Sequence, residues 1–271
     1  MSRFLTAQLS HVELPHNENT ALYLGNPSGA KKSRSLRENY LIEKKQYALS
    51  YNNTRHIPNW VAWHLCANDM GQTKRSATFS EEQNLPFGWY RVSRNDFQYA
   101  QYGFERGHLC PSADRTSTSE DNSATFTMSN VVPQSPANNS TVWNDLEQYA
   151  RRLALRGNEL YIIAGTYGIG GSTKNGTYDF IAVPRSNVHI AVPAYLWKVI
   201  IAIPEGANDL ERITAQSTAI AALTPNTHNC ATSWRDYAVS IDYLEKLTGY
   251  DFFALLPDDI EDALESKAAG K

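Results

Sequence analysis

The sequence has few cysteines and no hydrophobic run long enough to cross a membrane. Its three cysteines, Cys66, Cys110 and Cys230, include no Cys-x-x-Cys pair. They permit at most one internal disulfide and leave one thiol over, so disulfide formation stays open. A structural zinc site built from Cys230 and His228 would lack the usual ligand spacing. The longest apolar runs fall far short of the roughly 20 residues of a membrane helix, so we expect no membrane partner.

An excess of positive charge is also missing. The formal net charge is −3, which excludes a protein that holds nucleic acid through a global basic surface. Any such binding must come from a local patch. The basic segment 31–37 is one candidate, although a solvated loop is the more ordinary interpretation of such a run.

The chain lacks a linker, an internal repeat and a low-complexity segment, so we expect one domain over residues 1–271. With 42% hydrophobic content, a chain of this length can bury a substantial core. Strand and helix patterns follow one another in mixed order, which favours an α+β fold with an antiparallel sheet. The patterns predict short helices at 120–125 and 240–247 and strands at 47–51, 60–65, 160–164, 188–192, 196–203 and 218–223.

One short cluster brings together an arginine, a glycine and a histidine. In an extended backbone Arg106 and His108 point to the same face, while Glu105 points to the other. An arginine beside a histidine suggests a phosphate clamp beside a general base. Gly107, between them, would leave room for a phosphate to approach the backbone. Taken alone, however, a histidine in a strand is more often a structural residue.

A second cluster lies on the main predicted helix, which begins near Val142. Asn139, Trp143, Glu147 and Arg151 step by four along one border of its apolar stripe. If this segment is helical throughout, Asn139 and Glu147 are roughly 12 Å apart along the axis. We therefore assign Asn139 as a direct metal ligand, with Glu147 acting through a water molecule or brought closer by a distorted first turn. A neutral amide ligand suits Mg²⁺, whereas Asn139 alone would also fit a helix cap.

Together the two clusters resemble the DNA/RNA non-specific endonuclease family. The family motif reads Asp-Arg-Gly-His-x-Ala-Pro-x-x-Asp, and residues 105–114 read Glu-Arg-Gly-His-Leu-Cys-Pro-Ser-Ala-Asp. The likeness spans roughly residues 20 to 257. Within this span further segments match the family in order, at 24–28, 53–63, 129–134, 138–147, 192–199 and 247–253. The resemblance implies a ββα-metal (His-Me finger) nuclease fold, with a central antiparallel sheet flanked by helices.

The resemblance also implies a role for individual residues. The general base falls on His108, the metal-binding asparagine on Asn139 and the carboxylate that reaches the metal through water on Glu147. The remaining implied positions are phosphate contacts at Arg55 and Arg106, a supporting arginine at Arg151, and substrate contacts at Asn130 and Gln134. Glu105 stands where aspartate is usual and would support the site from behind, and Cys110 stands where alanine is usual.

The function implied is a Mg²⁺-dependent, sugar-nonspecific endonuclease that cuts DNA and RNA to products with 5′-phosphates. Mn²⁺ or another divalent cation could substitute. A neutral His108 would remove a proton from the attacking water, so activity should rise through neutral pH, because the unperturbed pKa of histidine is about 6.5. Because guanidinium forks match phosphate oxygens, an Arg55→Lys change should reduce activity.

Two other functions remain open: a nucleic-acid-binding protein with an impaired site, suggested by Glu105, and a phosphodiesterase for non-polymeric esters. Whether a protein inhibitor exists is also open, as is the oligomeric state. The N-terminus shows no apolar core of a secretory signal. We expect a secreted or periplasmic protein whose leader is absent from this chain, by analogy with exported relatives; the alternative is an intracellular protein.

Overall fold

A central seven-stranded sheet organises the fold in a computed structural model that describes residues 20–267. The strands are β1 (Tyr40–Glu43), β2 (Ala48–Asn52), β3 (Ile57–Leu65), β4 (Glu105–His108), β5 (Val131–Gln134), β6 (Asn158–Tyr167), β7 (Gly171–Thr173), β8 (Gly176–Tyr178), β9 (Phe180–Ala182), β10 (His189–Ala191), β11 (Tyr195–Pro204), β12 (Thr218–Pro225) and β13 (Ala238–Val239). The helices are α1 (Tyr99–Tyr102), α2 (Ser119–Ala124), α3 (Asn144–Ala154), α4 (Asp209–Arg212), α5 (Ile241–Thr248) and α6 (Asp258–Glu265).

Every pairing in the central sheet is antiparallel, in the order β1-β2-β3-β6-β11-β12-β13. The prediction of an α+β fold with a central antiparallel sheet is confirmed. The predicted strand at 188–192 is present as β10, which pairs with β9 in a separate two-stranded sheet. The sequence patterns also missed several elements, among them β1, β13 and α6. The single-domain assignment stays a prediction.

Alternating side chains of the sheet form two cores, one on each face. On β3, Val61 and Trp63 belong to the core on the side of α3, whereas Trp60 and Ala62 belong to the core on the side of α5 and α6. Such alternation is expected of a sheet that is covered on both faces. We call the α3 side the site face. No helix within residues 20–267 is long and apolar enough to cross a membrane.

The site face carries a compact unit of two strands and a helix. Strands β4 and β5 pair antiparallel, with His108 opposite Val131. A π-helical turn, Asn138–Trp143, then leads into α3, which buries Leu146 and Ala150 against the core. The first turn of the predicted helix is therefore distorted, which is one of the two ways in which we expected Glu147 to reach a metal. Such π-turns are frequent at functional sites.

An acidic cluster lies between α5 and α6 on the opposite face. Ligand atoms of Asp242, Glu245 and Glu265 lie within 4.8 Å of one another. Glu265 is only 5% exposed, and its Oε1 has no hydrogen-bond partner among the described residues. Burial, followed by the charges of Glu245 and Glu261, raises the pKa of Glu265 to about 9. The folded protein therefore holds a proton on this carboxyl more tightly than the unfolded chain does.

This shift predicts a loss of stability with rising pH. Because the folded-state pKa of Glu265 is raised, its stabilising contribution is complete below the unfolded value of 4.5 and disappears as pH rises to about 9. We expect Glu265→Gln to raise the free energy of unfolding by about 1 kcal/mol or more near pH 8 to 9 and to change it little near pH 4. Denaturant melts at both pH values measure this. Asp259→Asn, an exposed change on α6, is the control; equal effects of the two variants would contradict the account.

Candidate active site

A continuous groove crosses the site face beside β4 and the π-turn. It consists of two adjoining pockets of about 370 and 520 Å³. The pockets share Arg75, Arg106, Asn139 and Ser140. The first pocket is lined by five of the side chains predicted from the sequence, namely Arg106, His108, Asn139, Glu147 and Arg151. The second pocket adds Glu105.

His108 lies at the inner wall of the groove, beside two aromatic rings that also contact each other. Its imidazole is 4.8 Å from the Phe126 ring and 5.5 Å from the Phe79 ring, and its buried Nε2 has no hydrogen-bond partner within residues 20–267. Burial, and then the positive charges of Arg75 and Arg106, lowers the pKa of His108 to about 3. The ring is therefore neutral at neutral pH, the form that can accept a proton.

Asn139 faces the groove from the π-turn and is oriented by Glu105. Asn139 Nδ2 donates a hydrogen bond of 2.7 Å to Glu105 Oε2. Because an ionised carboxylate only accepts hydrogen bonds, it fixes the orientation of the amide and leaves the carbonyl Oδ1 for another partner. Amide and carboxylate oxygens, without sulfur or imidazole, are the donors that hard divalent cations prefer. The residues present therefore fit such a cation.

Glu147, on α3, belongs to a set of buried and partly buried charges. Its Oε2 lies 3.8 Å from Arg151 Nη1, and its Oε1 lies 3.9 Å from Nζ of Lys198, which is buried on β11. Arg151 in turn forms a 2.9 Å ion pair with Asp114 Oδ1. Burial raises the pKa of Glu147 even though Lys198 and Arg151 oppose the shift. A cation bound beside Glu147 would therefore stabilise the ionised form of this carboxylate.

Two arginines border the groove on the side of the aromatic rings. Arg106 lies over the Phe79 ring at 5.0 Å, and its Nη1 donates to the Arg94 carbonyl. Arg75 lies over the Phe126 ring at 4.9 Å and donates to Ser112 Oγ. Sequence reasoning missed Arg75, because it lies in a segment without regular structure and outside the matched motifs. Its positive charge was the only signal.

The structure does not place Arg55 in this groove, so no contact there supports its predicted role in binding phosphate. Arg55 lines a separate pocket with Glu38, Asn59 and Tyr250, and its backbone carbonyl accepts the N–H of Ala191. A hairpin turn holds it there, since the backbone N–H of Arg55 bonds to the side chain of Asn52. The segment around Arg55 matches the family pattern, but Arg55 and His108 line different pockets.

Asn130 and Gln134, the predicted substrate contacts, do not face the groove either, because both are fully buried. Asn130 bonds to the backbone N–H and carbonyl of Cys110 and so braces the chain after β4. Gln134 packs against Gly107, where an added Cβ would lie 1.9 Å from Gln134 Oε1. The space beside Gly107 is therefore filled by protein and not by phosphate, contrary to our interpretation.

Comparisons with known proteins place this chain among nucleases. A family profile described as DNA/RNA non-specific endonuclease matches residues 25–259. A nuclease of Nostoc sp. is 43% identical over 256 residues, which cover 94% of this chain and 88% of that protein. The mitochondrial nuclease EXOG of Xenopus laevis is 31% identical over 80% of this chain and 60% of its own length.

A solved structure supports the fold independently of close sequence similarity. The crystal structure of the EndoG/EndoGI complex, which concerns the mechanism of EndoG inhibition, aligns with a TM-score of 0.69. The alignment covers 88% of this chain and 91% of that chain at 23% identity. At this identity the likeness bears on the fold alone, and it confirms the predicted ββα-metal architecture.

The contact between Glu105 and Asn139 predicts how cation binding responds to substitution. We expect Glu105→Ala to weaken binding of Mn²⁺ by about 10- to 100-fold, the usual effect of losing a group that orients a ligand. Glu105→Gln should bind more tightly than Glu105→Ala, because its amide oxygen still accepts from Asn139. Calorimetric titration measures the affinities, with Asn139→Ala as the control that identifies the site. Equal affinity of Glu105→Ala and the wild type would contradict the role of Glu105.

Proposed function

Because this chain belongs to the DNA/RNA non-specific endonuclease family, we propose that it cuts DNA and RNA internally with one divalent cation and His108 as the general base. Members of the family are enzymes that hydrolyse nucleic acids, and metal dependence is typical of them. The observation that supports the roles of His108 and the cation is that His108 and Asn139 line the same groove. The buried, neutral imidazole of His108 lies on β4, and the amide of Asn139 lies on the π-turn with its nitrogen bonded to Glu105 and its oxygen without a hydrogen bond from the described residues.

Each residue of the groove has a task in this mechanism. His108 accepts a proton from the attacking water, and its low polarity surroundings keep it unprotonated beforehand. Arg75 and Arg106 offer guanidinium donors to the phosphate oxygens. Asn139 and Glu147 would hold Mg²⁺ or Mn²⁺, which supplies the charge that stabilises the leaving 3′-oxygen. The products would carry 5′-phosphates.

The shape and chemistry of the groove favour a polymer and little sequence preference. The two pockets join into a path that is open along the site face, as an extended backbone requires. The charged groups along it are suited to phosphate oxygens, and such contacts carry no sequence information by themselves. A closed pocket would have favoured small esters. The complete set of His108, Asn139 and Glu147 in one groove argues against an impaired site.

One assay tests the proposed activity directly. Supercoiled plasmid, single-stranded DNA and RNA are incubated with the protein in Mg²⁺ or in EDTA, beside a His108→Ala variant. We expect cutting of all three polymers in Mg²⁺, none in EDTA, and a rate reduced at least ~10² by the substitution, as for loss of a general base. Intact polymers in Mg²⁺, or equal cutting by the variant, would overturn the mechanism.

The electrostatics of His108 predict its pH profile. Because its pKa lies below the ordinary value, the acid limb of kcat/KM should fall below pH 6.5. Arg75→Gln removes a positive charge that lowers this pKa, so it should move the acid limb to higher pH and also reduce kcat/KM. Arg55→Gln, a change in the pocket outside the groove, should alter neither the acid limb nor kcat/KM. Initial rates over the pH range measure both effects, and an unmoved limb in Arg75→Gln would refute this assignment.

A further inference from the structure

A second cluster of metal-ligating groups lies at the end of β3, away from the catalytic groove. One imidazole nitrogen of His64, the Cys66 thiol and an Asp69 carboxylate oxygen lie within 4.8 Å of one another. They line a pocket of about 300 Å³ that shares no residue with the groove. The proposed nuclease mechanism uses none of them.

The backbone places these three side chains together. His64 and Cys66 are two residues apart at the end of a strand, so their side chains leave the same face. A 3₁₀ turn, Ala67–Asp69, then brings the carboxylate back. The backbone N–H of Cys66 donates to Asp69 Oδ2 at 2.9 Å and closes this turn. The cluster is therefore held by local structure.

His64 is oriented as metal-bound histidines usually are. Its Nε2 lies 3.1 Å from Oε2 of Glu159, a carboxylate that is only 2% exposed. Because the carboxylate accepts, Nε2 carries the hydrogen and Nδ1 can offer a lone pair. Nδ1 lies 3.9 Å from Asp69 Oδ2, too far for a hydrogen bond. A carboxylate behind the far nitrogen is the common support of a ligating imidazole.

The neighbouring charges are compatible with a bound cation. Arg115 lies 3.6 Å from Asp69 Oδ1, whereas Oδ2, on the histidine side, accepts the Cys66 N–H and keeps a second lone pair for a cation. The Arg115 guanidinium is fixed by the carbonyls of Gln46 and His64. Lys45 also lines the pocket but pairs with Asp121.

We propose that His64 Nδ1, Cys66 Sγ and the Asp69 carboxylate bind Zn²⁺ at a site separate from the catalytic cation. Nitrogen, thiolate and carboxylate oxygen are the ligands that zinc takes in proteins. The fourth coordination position of the zinc ion would face the pocket and be filled by a water molecule. Binding forms a zinc–sulfur bond, and the thiol proton leaves to solvent. The ion would fix the turn after β3 to the central sheet.

Cobalt substitution tests this site without reference to activity. The reduced, EDTA-treated protein is titrated with Co²⁺ and followed for the sulfur-to-cobalt charge-transfer absorption, which the groove cannot produce because no cysteine lines it. We expect one equivalent to produce the band and Zn²⁺ to abolish it. The Cys66→Ser variant should lack the band, whereas Cys230→Ser and Asn139→Ala should keep it.

A positioning role for Glu159 gives a second readout. Glu159→Gln should keep the band but weaken Co²⁺ binding by about 10- to 100-fold, as expected for the loss of a carboxylate behind a ligating histidine. Circular dichroism checks that each variant is folded. Absence of the band in the folded wild type, or its persistence in Cys66→Ser, would overturn the proposal. Unchanged affinity in Glu159→Gln would overturn the role given to that carboxylate.

Discussion

The hydrogen bond from Asn139 to Glu105 is the contact on which the catalytic groove depends. It joins β4, which carries His108, to the π-turn that leads into the helix of Glu147. Both partners are polar and partly buried, so each would lose solvation without the other. The bond also orients an amide that could otherwise rotate. With the hydrogen bond that Trp143 Nε1 donates to the His108 carbonyl, this contact joins strand and π-turn, and it also sets which amide atom would face a cation.

Buried charges connect this unit to the sheet beneath it. Lys198 projects from β11 to a point 4.1 Å from the centroid of the Trp143 ring and lies near Glu147. Arg151 pairs with Asp114, whose other oxygen accepts from Trp63 on β3. Removing one member of such a set leaves an uncompensated buried charge, which is strongly destabilising. Core packing and site electrostatics are therefore one arrangement, and substitutions here should affect both stability and activity.

The sequence predicted the parts of the site that local periodicity determines. Helical spacing placed Asn139 and Glu147 on one border of a helix, and only the degree of distortion in its first turn stayed open. The failures concern long-range placement. Arg55 and Arg75 both occur in irregular segments, and only the fold decides which one reaches the groove. Gln134 is polar, yet its pairing opposite β4 buries it completely. Spacing along a chain cannot report such packing.

The central claim is that the Asn139 amide oxygen and Glu147 hold the catalytic cation. Anomalous diffraction from crystals soaked in Mn²⁺ tests this claim most directly. The account predicts a peak in the groove at bonding distance from Asn139 Oδ1, about 2.0 to 2.2 Å for a hard cation, with Nδ2 still bonded to Glu105. A peak bound instead to His108, or a groove without any peak while the soaked protein cuts DNA, would contradict it.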